Sequence, residues 1–142
     1  MEILSTDAVE IFRSRYSHLA FIKHCWQKQD EPYVVGRHTR TICHLIDTAI
    51  EDLKHGKSTY LVIKVHPRAG KSEILSQNLT AHFIGEFPDK DAMICCYNSV
   101  LALKNSKLAR DIIKSEKYQE LYPDSVIDGG VQQWGIEGHK GI

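Results

Sequence analysis

The tripeptide Gly-Lys-Ser occurs twice, at Gly56–Ser58 and at Gly70–Ser72, with the β-rich run TYLVIKV between the copies. This arrangement forces the backbone period to change on both sides of the run. Upstream, Ile42, Leu45, Ile46, Ala49, Ile50 and Leu53 recur at helical spacing and predict an amphipathic helix from about Thr39 to Lys54. Lys54 and His55 fall in its last turn, and Gly56 follows where a left-handed cap is expected. Thr59 to Val65 predicts a buried strand, and after the loop HPRAG a second helix is expected from about Lys71 to Ile84.

The two copies therefore sit in opposite electrical settings. Free amide N–H groups and the positive end of the helix dipole lie at a helix N-terminus, so anions bind there. Gly56-Lys57-Ser58 ends a helix, where carbonyls project, and reads as a helix stop. Gly70-Lys71-Ser72 follows a predicted strand and opens a helix, the context a phosphate-binding loop requires. There the amides of about Ala69 to Ser72 would cradle phosphate oxygens, Lys71 would reach the β- and γ-phosphates, and Ser72 would place its hydroxyl on Mg2+. The full signature has a further glycine where this chain has Val65, and Pro67 removes one donor.

The rest of the chain continues the alternation. Ala8, Ile11, Phe12, Leu19, Ile22 and Trp26 predict a helix from Asp7 to about Lys28, ended by Pro32 and Gly36. Gly85 and Pro88 end the helix after the loop, and Ala92 to Tyr97 predicts a second buried strand. A helix from about Ser99 to Lys114 would bury Leu101, Leu108, Ile112 and Ile113, and a short turn is expected over Tyr118 to Tyr122. Asp128-Gly129-Gly130 reads as a turn before a third strand over Val131 to Ile136. The expected fold class is α/β: a parallel sheet over 57–142, preceded by a two-helix segment over 1–56.

Lys+Arg and Asp+Glu are equal in number, so no global basic field points to nucleic acid. No apolar run approaches the ~20 residues that span a bilayer, and MEILSTDAVEIF lacks the order of a signal peptide. Cys25, Cys43, Cys95 and Cys96 form no Cys-x-x-Cys pair and read as reduced thiols of a cytoplasmic protein.

The stretch from about Leu61 to Asp124 resembles the ATPase domain of the large subunit of tailed-phage terminase, the motor of viral DNA packaging. The matching residues are Pro67, Arg68, Gly70, Lys71, Ser72 and Glu73, then Phe83, Gly85, Pro88, Asp89 and Lys90. Tyr97, Asn98, Leu101, Ala102, Arg110, Asp111 and the stretch from Tyr118 to Pro123 follow. Pro32, His38 and Ile42 fit more loosely, and His66 stands where that family has a first proline. The family's loop also lacks the first glycine. The resemblance implies a P-loop NTPase sheet of the RecA-like (ASCE) kind, incomplete in this chain. It also implies ATP and Mg2+ as cofactors and double-stranded DNA, a terminase small subunit and the portal as partners. It implies no membrane association and action in the host cytoplasm, and it gives Arg68 a phosphate contact.

Hydrolysis requires a water-activating carboxylate. Val126-Ile127-Asp128 and Leu45-Ile46-Asp47 are the nearest candidates, and neither has the expected setting. In the resembling family that acid follows a tryptophan and a glycine-rich segment, which Trp134, Gly135, Gly138 and Gly141 begin to match. The expectation is a chain ending short of its catalytic acid and of the family's nuclease. Further candidates are Asn98, at the γ-phosphate or as a helix cap, and Gln27 and Gln29 at adenine. Lys104, Lys107 and Arg110 could face DNA or solvent, Glu73 suits the helix dipole, and His38 and His44 are spaced poorly for a metal. Two alternatives stand beside the packaging ATPase: another P-loop motor or helicase-like fragment, and a non-catalytic interaction module with a vestigial loop.

Overall fold

A computed structural model of the protein describes residues 6–26, 28, 30–123, 125–129 and 134–136. The chain divides into two compact units, Met1–Gly70 and Lys71–Ile142.

The first unit is helical. Helices α1 (Thr6–Tyr16), α2 (His18–His24) and α3 (Arg37–Lys54) replace the two predicted helices, because the first is broken at Ser17. Ser17 takes an extended conformation (φ −131°, ψ 120°). The break is held from outside the segment, since the Asp47 carboxylate on α3 accepts the His18 N–H at 2.6 Å. A carboxylate at the first turn of α2 satisfies an amide that has no partner within the helix and suits its dipole. The core between α2 and α3 is Phe21, Ile22 and Cys25 with Ile42, Cys43 and Ile46. The buried stripe of α3 thus runs through Thr39, Ile42, Cys43 and Ile46, and Leu45 is left partly in solvent.

Helix α3 ends as its sequence predicts. Gly56 is left-handed (φ 74°), its N–H donates to Leu53 O, and the Lys57 N–H donates to Asp52 O. These two bonds form a Schellman motif, which closes the last carbonyls of the helix. Lys57 then turns back toward Asp52, with Nζ 3.8 Å from Oδ1. The first Gly-Lys-Ser is therefore a helix terminus.

The second unit begins with helical backbone at Lys71, continues as a π-helix over Glu73–Leu79, and becomes α4 (Thr80–Glu86). Helices α5 (Ser99–Ile113) and α6 (Glu116–Leu121) follow. Asn98 caps α5, its side chain accepting the Leu101 N–H, and Ser115 caps α6 by accepting the Tyr118 N–H. Ile74, Ala81, Phe87, Ala109, Ile113, Tyr118 and Leu121 form the core. Tyr118 Oη donates to the Ala81 carbonyl at 3.0 Å and Tyr122 Oη donates to Glu86 Oε1 at 2.8 Å. Gly85 lies within α4, where a Cβ would approach the Tyr122 ring to 2.6 Å. Close packing against the tyrosines, more than helix termination, explains this glycine.

The parallel α/β sheet expected from the sequence is not present. Neither Thr59–Val65 nor Ala92–Tyr97 forms a strand. Tyr60 is 93% exposed and Tyr97 95% exposed, so these runs are not a buried core. Among the described residues the strands are β1 (Ile127–Gly129) and β2 (Trp134–Ile136), an antiparallel pair with Asp128 opposite Gly135. The predicted third strand is met only over β2, with 131–133 outside the described residues. The physical reason lies in where hydrogen bonds close. A helix pairs its own amides and carbonyls, whereas a β-rich run needs a neighbouring strand that its composition does not supply. The RecA-like P-loop NTPase architecture is accordingly corrected to a mainly helical one.

No helix among the described residues is long and apolar enough to cross a membrane. Cys25 and Cys43 are buried thiols and Cys95 is exposed.

Candidate functional site

The segment His66–Ser72 joins the two units, so each side is described from its own unit. On the first side, Pro67 and Arg68 form a turn and the chain reaches Gly70 with two left-handed residues, Arg68 (φ 63°) and Gly70 (φ 73°). A left-handed arginine is uncommon, because its Cβ crowds the following carbonyl. Alternation of backbone handedness is the local device that turns successive amides toward one concave side. Ala69, between the two, is buried, while His66, Pro67, Arg68 and Gly70 are exposed.

The anchor of this turn is His38, near the start of α3. Its Nε2 lies 3.1 Å from Ala69 O, and its ring meets the His66 ring edge-on, with centroids 6.0 Å apart. Gly36, just before α3, permits this placement. A Cβ at Gly36 would lie 2.7 Å from His38 Cε1.

On the other side, Lys71 and Ser72 are both exposed, and Ser72 is already helical (φ −65°, ψ −35°). The first turn of a helix leaves its N–H groups without intrahelical partners, and Gly70 has no side chain to cap them. Lys71 adds an ammonium, and Ser72 adds one hydroxyl oxygen. This donor set fits a polyphosphate. It fits Mg2+ only as the ion is usually held in nucleotide sites, by phosphates, waters and one or two protein oxygens. Among the described residues no group of three or more His, Cys, Asp or Glu side chains stands ready for a metal by itself.

Several of the remaining sequence candidates have contacts of their own within their units. Asn98 Oδ1 is engaged at 2.8 Å with the Leu101 N–H, its capping role. Asp47 is engaged with His18, and Asp128 is exposed in β1. Arg110 directs Nη2 to the Gly129 carbonyl at 3.1 Å, whereas Lys104 and Lys107 face solvent on α5. The Glu73 carbonyl accepts from Asn78 Nδ2 at 2.9 Å, which holds the π-helical turn. Gln27, Gln29, Gly130, Gly138 and Gly141 lie outside the described residues.

Sequence reasoning missed His38 as a loop contact. The available signal was Gly36-Arg37-His38 at a helix start, a glycine placed where a following ring folds back. No protein-family model, curated protein or solved structure matches this chain.

Proposed function

We propose that the loop 66–72 binds the phosphates of ATP together with Mg2+. In this reading the chain is the ATP-binding N-terminal part of a terminase-like large subunit. The parent would hydrolyse ATP to package double-stranded DNA, with a small subunit and portal as partners, in the host cytoplasm. One observation carries the proposal: left-handed Arg68 and Gly70 immediately precede the helical turn that opens at Lys71. A helix start leaves its first amides without intrahelical partners at the positive end of the dipole, and here the sequence adds the Lys71 ammonium at that start. The reading rests on this loop and on the sequence resemblance. It does not draw on a sheet.

The roles are divided by chemistry. Amides of Ala69 to Ser72 hold phosphate oxygens, Arg68 and Lys71 neutralise their charge, and Ser72 offers its hydroxyl to the cation. Hydrolysis needs a free carboxylate to orient water, and Asp47 is occupied by the α2 cap. Slow or absent turnover by this chain alone is expected.

A thermal melt with a non-hydrolysable Mg-ATP analogue tests the binding. A ligand at a hundred times its dissociation constant adds about 2.7 kcal/mol of apparent stability. The expected result is a stabilised wild type and an unresponsive Lys71→Ala. An unresponsive wild type would overturn the proposal. It would leave the reading of an interaction module, which is supported by solvent-facing Tyr60, Val62, Met93 and Tyr97.

A further inference from the structure

We infer that His38 is a positioning residue for the phosphate loop, aiming the Gly70 amide at the anion; this rests on the phosphate-binding reading. The argument starts from peptide geometry. A carbonyl oxygen can only accept, so His38 Nε2, 3.1 Å from Ala69 O, carries the hydrogen. The peptide from Ala69 to Gly70 is trans, since the chain has no cis bonds among the described residues. In a planar trans peptide the C=O and N–H point in opposite directions. Gripping the Ala69 carbonyl therefore turns the Gly70 N–H away from His38. Gly70 itself is exposed, and a Cβ built on it meets nothing within 4 Å, so the residue is not packed in.

Two further observations mark the grip as built. Gly36 has an ordinary φ of −81°, so its backbone does not demand glycine. What demands it is the His38 ring, which a Cβ would approach to 2.7 Å at Cε1 and 2.9 Å at Nδ1. Arg68, meanwhile, holds φ 63°, a left-handed conformation that crowds an arginine's Cβ against the following carbonyl. Such a conformation persists where neighbours over-determine it, and the burial of Ala69 with the His38 hydrogen bond does so on the next residue. His38 thus acts on phosphate through the backbone without touching it.

The test measures affinity of the full chain for Mg-ATP and for inorganic tripolyphosphate, by titration calorimetry. Loss of one hydrogen bond of about 0.5–1.5 kcal/mol corresponds to roughly a two- to tenfold weakening. His38→Leu should lose that much for both ligands alike, since the amide meets phosphate and not the base. His38→Gln, which can present an N–H toward the carbonyl, should restore affinity to within about twofold of wild type. Gly36→Ala keeps the histidine but displaces its ring, and should weaken binding as His38→Leu does; it also serves if His38→Leu fails to fold. The inference is overturned if wild type binds, Lys71→Ala does not, and both His38→Leu and Gly36→Ala bind like wild type. It is equally overturned if glutamine fails to rescue a folded protein. If wild type binds neither ligand, the phosphate reading itself falls, and the inference falls with it.

Discussion

Asp47 on α3 caps the first turn of α2 by accepting the His18 N–H at 2.6 Å, which ties two segments 29 residues apart. Burial holds the Asp47 carboxyl above the ordinary carboxylate range, opposed by the bonds from His18 and Ser17 and by the charge of His44. A carboxyl raised by folding binds its proton more tightly in the native state. Its contribution to stability is therefore full in acid and declines as pH rises through the folded pKa. In urea melts across acidic to neutral pH, the difference between wild type and Asp47→Asn should show this decline. Asn retains a carbonyl acceptor, so at pH 7 it should match or exceed wild type. Asp47→Ala should lose about 1 kcal/mol with the cap. A pH-independent difference between wild type and Asn would refute the assignment.

The Cys43 thiol is pushed up to about 12, first by burial and then by the negative charge of Asp47. It stays protonated and inert in neutral buffer, whereas Cys95 is exposed. Iodoacetamide at pH 8 should alkylate Cys95 readily and Cys43 only as the unit opens, read by peptide mass spectrometry. The sign for stability follows as before: between the ordinary thiol value of 9.0 and about 12, stability should fall as pH rises. Equal labelling rates for the two cysteines in native buffer would contradict this account.

Gly85→Ala sets propensity against packing. In an open helix the change gains about 1 kcal/mol. Here the new methyl would sit 2.6 Å from the Tyr122 ring and 2.8 Å from Tyr118 Oη. Forced overpacking costs roughly 1–3 kcal/mol, so a net loss is expected. The loss should shrink when Tyr122 is also replaced by alanine, since the closer of the two clashes is then removed and only the Tyr118 hydroxyl remains. Additive effects in that double-mutant cycle would count against a direct clash.

The two Gly-Lys-Ser copies should answer mutation differently. Gly56→Ala places a side chain at φ 74° and should cost about 1 kcal/mol in a denaturant melt. Lys57→Ala removes an exposed 3.8 Å ion pair and should change stability by less than about 1 kcal/mol. Neither should alter the response to an Mg-ATP analogue, while Lys71→Ala should abolish it. A response lost with Lys57 and kept without Lys71 would reverse the assignment of the copies.

Legibility in the sequence followed the range of the controlling interaction. The end of α3 was readable because Gly56, Leu53 and Asp52 close their bonds within one turn. The break at Ser17 was not, because it depends on a carboxylate far along the chain. The face of α5 was misjudged in part. Leu101 looked like core, yet Asn105 is buried, its amide receiving Gln77 at 3.3 Å and donating to Cys96 Sγ at 3.6 Å. Burial of a polar group depends on partners that apolar periodicity cannot reveal. The β-rich runs misled for the same reason, since Val62 and Met93 advertise burial without naming what covers them. At the loop, Gly70, Lys71 and Ser72 were visible as a motif, but the histidine gripping its backbone was not.

The solvent-facing run from Thr59 to Val65 has a practical outcome in concentrated solution. Seven residues of high β-propensity, free of proline and glycine, match the pattern of segments that stack into cross-β fibrils. Lys64 is the one gatekeeper charge inside the run, and a second, as in Val62→Lys, should raise solubility and delay thioflavin-positive assembly.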